Sequence, residues 1–189
     1  SETVFVGPKA WREIARLNRL PDPNFIRPGQ VLRVPTRLMR MRALPVRVTS
    51  AVGEGRVGNE VVQPGAALAE GQSLQTGANG SAVLALADGS RVRVPPSSLA
   101  EIVASRGPGA TEADAARLAG DGLFTGVLRM LRGSVEVLAA KLRRSQPLEV
   151  TTPTAVVGVR GTQYRVTLDG DSGATRSEVL EGKVKLESP

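Results

Sequence analysis

The sequence predicts a mainly β fold, a sandwich or rolled antiparallel sheet, with a small α+β element at its N-terminus. Three observations point there. Hydrophobic residues make up 41% of the chain but aromatics only 3%, so the core must be built from Val, Leu and Ala, whose branched members suit a pleated sheet. From Val46 onward apolar and polar residues alternate with a period of two. Turn signals interrupt that alternation at short intervals: Gly53-Glu54-Gly55, Pro64-Gly65 and Asp88-Gly89.

At 189 residues the chain can hold one domain, or one domain with a small satellite. The expected division is an N-terminal element over 1–36, a basic linker over 37–45 and a β-domain over 46–189. Lys and Arg number 25 against 18 acids, and the resulting +7 favours anionic partners: nucleic acid, lipid head groups or acidic glycans. The arginines are spread over the chain, aromatics for base stacking are nearly absent and no nucleic-acid motif occurs, so nucleic acid is not the expected partner. The absence of Cys and His removes disulfides, thiolate nucleophiles, imidazole bases and the usual zinc ligands. Neither a Gly-x-Ser-x-Gly elbow nor a Gly-Lys-Ser/Thr phosphate loop is present. The acids Glu54, Glu70, Glu136, Asp169 and Asp171 sit singly in turns or on outward strand positions, so no carboxylate pair is predicted. The expectation is a non-catalytic protein with no cofactor and no metal. No apolar run approaches the ~20 residues of a membrane helix. The first residues show no basic-then-apolar leader pattern, and the chain does not start with Met.

In chain order, Trp11, Ile14, Ala15 and Leu17 approximate helical spacing, which predicts a helix from about Pro8 to Leu20. Pro21-Asp22-Pro23-Asn24 ends it. Pro28-Gly29 signals a type II turn, and Val31-Leu32-Arg33-Val34-Pro35 reads as a short strand closed by proline. This succession resembles the second half of a LysM module, a strand–helix–helix–strand unit that binds the N-acetylglucosamine backbone of peptidoglycan or chitin. The opening strand, Gly-Asp-Thr-like loop and first helix of a whole module have no counterpart here. What the resemblance carries over is one wall of a glycan groove: Asn18, Asp22, Asn24, Ile26, Pro28 and Gly29. Next, Arg37, Arg40 and Arg42 interleave with Leu38, Met39 and Met41, as a basic helix or an extended linker with a solvated charged face.

The clearest hairpin lies at residues 82–94. A three-residue Ala87-Asp88-Gly89 loop, with Gly89 in the left-handed conformation, opposes Leu84 to Val92 and Ala82 to Val94 and turns Arg91 and Arg93 to water. Residues 104–122 read as a surface insertion, with two turns of helix capped by Thr111. Leu131–Val137 and Leu180–Leu186 echo each other, each a strand, a charged-Gly turn and an alternating strand. Asp169 to Gly173 resembles a calcium loop in composition but lacks the bidentate Glu, and reads as an exposed hairpin loop.

The stretch Thr151 to Val166 organises the rest. Pro153 fixes its own φ and biases Thr152 away from helix. Gly158 and Gly161 bracket Val159-Arg160, where a bend is expected, and Tyr164 leads the alternating strand that follows. Apolar run, Gly-Val-Arg-Gly kink and alternating strand together resemble the signature of the FecR family, as does the Asn79-Gly80-Ser81 and Asp88-Gly89-Ser90 succession. That family includes regulators carrying an outer-membrane iron-dicitrate signal across the bacterial periplasm. Within the signature, Pro153, Gly158, Arg160, Gly161 and Tyr164 are expected to be structural, Arg160 by bonding turn carbonyls or an acid beside the kink rather than by docking a partner.

The resemblance implies a binding or scaffold protein of the periplasm or cell envelope. The main expectation is attachment to peptidoglycan, or another N-acetylglucosamine-containing glycan, through the LysM-like part, with the β-domain making protein contacts. The alternative is the periplasmic part of a FecR-type regulator of a sigma factor. That role needs a membrane helix and a cytoplasmic segment, and neither is found in these 189 residues.

Overall fold

In this computed structural model the described residues are 4–7, 9–142, 146–159, 163–181 and 184–187. Strand far outweighs helix among the described residues, which is the mainly β class the alternation predicts. The N-terminal element contains one α-helix, α1 (Lys9–Leu17). Then come β1 (Met41–Ala43), β2 (Val46–Val52), β3 (Gly55–Val57), β4 (Glu60–Val61), β5 (Ala67–Leu68) and β6 (Ser73–Thr76). The hairpin strands β7 (Ser81–Ala85) and β8 (Arg91–Val94) lead to β9 (Leu99–Pro108) and helix α2 (Glu112–Gly120). After these follow β10 (Thr125–Leu138), β11 (Leu148–Thr151), β12 (Val156–Val159), β13 (Gln163–Leu168), β14 (Thr175–Glu181) and β15 (Val184–Glu187).

All these strands join one sheet that curls over on itself through β10. The first half of β10 pairs with β9 on one side and, in parallel, with β11 on the other, and β12 and β15 continue outward from β11. Its second half leaves those neighbours and pairs with β8 and β13, extending through β7, β2 and β5 one way and β14 the other. The corner is Gly133. Its φ of +79° is one that L side chains rarely adopt, and a Cβ there would lie 2.5 Å from Ser98 Oγ and 2.7 Å from the Ser97 carbonyl. The Leu131–Val137 segment is therefore one strand bending between two half-sheets, not the strand–turn–strand unit expected from the sequence echo.

The two halves enclose a core of Val46, Val48, Leu74, Leu84, Val92, Ile102, Leu128, Met130, Val137, Leu148, Tyr164 and Val166, all essentially inaccessible to water. Each such Val or Leu contributes about 1.5–3 kcal/mol relative to an exposed position. The hairpin has the predicted register: Leu84 opposes Val92, Ala82 opposes Val94, and Gly89, at φ +83°, closes the three-residue loop by donating to the Leu86 carbonyl at 3.0 Å. Arg91 and Arg93 face solvent.

Residues 104–108 continue β9, and Thr111 caps α2 through a capping box with Asp114. Ala115 and Ala119 of that helix are buried in the main core cluster. Residues 37–45 take the extended alternative: after a 3-10 turn at Thr36–Leu38, β1 pairs antiparallel with the end of β9, and Phe5 bridges Met39. Val31–Pro35, expected as a strand, forms none, and Val31 is 91% exposed. A strand needs a neighbour, and here the Asn18 side chain stands in for one. Its Oδ1 accepts from Arg33 N at 2.7 Å, and its Nδ2 donates to the Arg33 carbonyl at 2.8 Å. Pro8, the expected helix start, lies outside the described residues.

Candidate binding surfaces

Around the α1–turn segment, the carried-over residues divide by what their polar groups already do. Asn18 is fully engaged, since Nδ2 also donates to the Ile14 carbonyl at 2.8 Å. Asp22 Oδ1 accepts from Asn24 N at 2.8 Å, an Asx turn that orders the loop after the helix. Asn24 is exposed, and its side-chain amide has no partner among the described residues. Pro28-Gly29 forms the predicted type II turn, with Gly29 at φ +81° and Gln30 N donating to the Arg27 carbonyl at 3.0 Å. Trp11 Nε1 donates to the Pro23 carbonyl at 2.9 Å, tying helix to loop. One concavity here, beside the turn, is an open hollow of about 400 Å³ lined by Leu20, Pro21, Asp22, Phe25, Arg27 and Gln30, and another, of about 500 Å³, lies along Lys9, Arg12, Glu13, Arg16 and Leu17 of α1. The first brings in Asp22 but not Asn18, Asn24, Ile26, Pro28 or Gly29. Phe25, Arg27 and Gln30 line it as well, and a loop gives no periodicity from which to read that grouping.

In the signature stretch, Pro153 sits exposed in the turn between β11 and β12. Thr152 Oγ1 meets Thr175 Oγ1 at 2.6 Å, and Thr154 Oγ1 meets the same oxygen at 2.7 Å, so hydroxyls tie this turn to the start of β14. Gly158 lies within β12, paired to Glu149 and Lys185, where a Cβ would make only ordinary contact with Pro147 at 3.5 Å. Tyr164 is fully buried between alternating exposed neighbours, Gln163 and Arg165. Arg160 and Gly161, with the expected kink, lie outside the described residues. At the β13–β14 loop, Asp169 Oδ1 accepts from the backbone N–H groups of Asp171 and Ser172 at 3.0 and 2.9 Å. Those donors, Ser172 first, hold its carboxyl below the usual range. The loop's acid is thus engaged by its own backbone, and no acidic cluster of metal-binding type occurs among the described residues.

The outer face of the second half-sheet carries a feature that single-strand reading could not reveal. Cross-strand register places Val83, Arg93, Glu136, Arg165 and Glu178 in one line across five strands. Charges alternate along it: Arg93 to Glu136 at 3.4 Å, Arg165 to Glu136 at 2.6 Å and Arg165 to Glu178 at 3.6 Å. The next line runs Arg47, Ala85, Arg91, Leu138 and Gln163, and Leu138 is 48% exposed. A depression between the lines is lined by Val83, Val137 and Leu138 together with Arg91, Arg93, Glu136 and Gln163. On the other half-sheet Arg129 pairs with Glu101 at 3.2 Å. At the far end of β9, Glu70 takes Arg106 Nε and Nη2 at 2.8 and 2.7 Å and the Ser105 N–H at 2.9 Å. The Arg106 hydrogen bonds lead the causes that lower the Glu70 pKa, with the Ser105 N–H adding to them against desolvation.

No helix among the described residues is long and apolar enough to cross a membrane. Comparison with known proteins gives two family matches: FecR protein over residues 72–185 and LysM domain over residues 10–35. No curated protein sequence matches the chain. Similar solved structures include two crystal structures, at 2.50 and 1.65 Å resolution, of a Parabacteroides distasonis ATCC 8503 protein proposed to be an anti-sigma factor. Each is 19% identical, with a TM-score of 0.45, and the match covers 62% of this chain and 47% of that one, about half its length. The FecR match spans more than half of the present sequence, with the LysM match ahead of it, and the chain therefore belongs to the FecR protein family.

Proposed function

We propose that this chain is the periplasmic, non-catalytic part of a FecR-type regulator of a sigma factor, and that its β-domain docks a protein partner on the outer face of the second half-sheet. The observation that carries the docking face is the Arg91–Arg93–Leu138 depression beside the charge ladder. A half-exposed Leu beside two arginines, Glu136 and Gln163 on a sheet face is the chemistry of a protein interface, where an apolar contact sits inside a polar rim. Family membership supports the regulatory role and the envelope location. Of the two expectations from sequence, the regulator is the one better supported.

The test is made in the organism that carries the gene. Deleting it is expected to change transcription of a set of genes sharing one sigma-dependent promoter. The double variant Leu138→Asp/Arg91→Glu, accumulating to wild-type level, is expected to reproduce that change. A deletion that leaves transcription unaltered sinks the regulatory reading. A deletion phenotype that the double variant fails to reproduce sinks the docking face alone.

A second reading, peptidoglycan attachment, is favoured by the LysM match over 10–35. It expects sedimentation with purified peptidoglycan that chito-oligosaccharides compete away and Asn24→Ala weakens. Binding unaffected by those sugars sinks it.

A further inference from the structure

We propose that the described residues of the N-terminal element, with the basic segment that follows as far as Arg42, form a docking surface for an anionic phospholipid bilayer. Arginines occur throughout the sequence, but acids are scarce beside them in this element. The first 42 residues hold nine of the 25 Lys and Arg and three of the 18 acids, so six of the seven net positive charges lie there.

Ion pairs are also more frequent among the β-domain arginines, although Arg47 and Arg91 there have none among the described residues. In the β-domain Arg93, Arg106, Arg129 and Arg165 each face a carboxylate. Among the described residues of the N-terminal element only Arg37 does, pairing with Glu13, while Arg40 and Arg42 bond backbone carbonyls. Lys9, Arg12 and Arg16 are exposed at i, i+3 and i+7 on one face of α1, with no side-chain partner among the described residues. Arg19, Arg27 and Arg33 are likewise exposed and unpaired among the described residues.

Charge alone would fit any polyanion, and the apolar side chains decide for a bilayer. Leu17, Phe25, Ile26 and Val31 are all exposed, Phe25 at 64% and Val31 at 91%, and Leu17 shares a surface hollow with Lys9, Arg12 and Arg16 as Phe25 does with Arg27. A soluble polyanion gives such side chains nothing. A bilayer surface accepts them below the head groups while the guanidinium groups stay with the phosphates. Surface charge also draws in basic segments over a Debye length of about 10 Å at 0.1 M salt. This inference does not rest on the regulatory or glycan readings.

Sedimentation of the whole chain with vesicles tests it. Vesicles of phosphatidylcholine alone are compared with a 3:1 mixture of phosphatidylcholine and phosphatidylglycerol at 0.1 M salt, with heparin as a soluble polyanion control. Binding is expected to the mixed vesicles and not to the neutral ones. Arg12→Gln/Arg16→Gln should weaken it about 25-fold, roughly fivefold per cation removed. Phe25→Ser should weaken vesicle binding several-fold and leave heparin binding unchanged. Unchanged emission from Trp11, the single tryptophan of the chain, verifies that each variant keeps the helix–loop contact. Failure to bind the mixed vesicles overturns the proposal. If Phe25→Ser binds vesicles as the wild type does, the surface is a general polyanion site and the bilayer assignment is overturned.

Discussion

Replacing Gly133 by Ala should cost the β-domain several times what the same replacement costs at Gly170. Two effects add. At φ +79° an L side chain incurs about 1–2 kcal/mol of backbone strain. The new Cβ would also meet Ser98 Oγ at 2.5 Å and Ser98 Cα at 2.8 Å, so the Ser97-Ser98 backbone must move. That movement loosens two hydrogen bonds that Ser98 Oγ makes, accepting from Ser134 N at 3.0 Å and donating to the Pro96 carbonyl at 3.1 Å. At about 1 kcal/mol each, these bring the total to roughly 3–4 kcal/mol. For a chain of this size that is a fall in thermal midpoint of roughly 6–16 °C. Far-UV circular dichroism is the suitable probe, because Trp11 lies in the N-terminal element and would not report the β-domain. Gly170→Ala is the control, since a Cβ there meets nothing within 4 Å and its φ is not positive, so its midpoint should move by under 2 °C, corresponding to about 0.5 kcal/mol. A shift for Gly133→Ala no larger than the control's would refute the corner.

Three further outcomes are expected. Leu84→Arg, which places a charge in the core, should destabilise by several kcal/mol, whereas Arg93→Leu should cost under about 1 kcal/mol because its ion pair with Glu136 is exposed; comparable losses in urea unfolding would refute the hairpin register. Glu70→Gln should cost about 1–2 kcal/mol at pH 7, and because the folded-state pKa is lowered, that contribution is present above the unfolded value and is lost as pH falls through the folded one; a deficit of the same size at pH 7 and pH 3 would exclude the carboxylate as its source. Asn18→Ala should speed limited proteolysis between residues 18 and 35 and leave the β-domain midpoint unchanged; unaltered cleavage would mean that the bonds to Arg33 do not hold the segment.

What the sequence makes legible is whatever local chemistry decides. The 82–94 hairpin can be read because alternation and the Asp88-Gly89 turn agree on one register. The type II turn at Pro28-Gly29 and the Thr111 cap are local in the same way. Val31–Val34 looks like a strand because its residues have the propensity, but pairing is a property of two segments, and Asn18 supplies the hydrogen bonds instead. The Gly133 segment reads as a turn because a glycine between two alternating stretches serves a reversal and a corner equally well. The charge ladder is invisible for a simpler reason: Arg93 and Glu136 are 43 residues apart and Glu136 and Arg165 are 29 apart, brought together only by the path of β10. In the loop after α1, sequence places the turn at Pro28-Gly29 but not the hollow beside it, whose Phe25 and Gln30 side chains follow no period.

The two ways in which this chain uses arginine argue for two surfaces with different physics. Along the ladder each cation lies between or beside carboxylates, so the line as a whole is nearly neutral and attracts little from a distance. Recognition there must come from fit against Leu138 and from the planar donors of Arg91 and Arg93, which act only at contact. The cations of α1 and its following loop outnumber the nearby acids Glu13 and Asp22, so their net attraction reaches several ångströms further. Raising salt from 0.1 to 1 M cuts the screening length from about 10 Å to about 3 Å and should therefore separate the two. Association through the first 42 residues should fall steeply, while a complex seated on the second half-sheet should persist. One protein can then be gathered to an anionic surface by its N-terminal element without occupying the face that selects its partner.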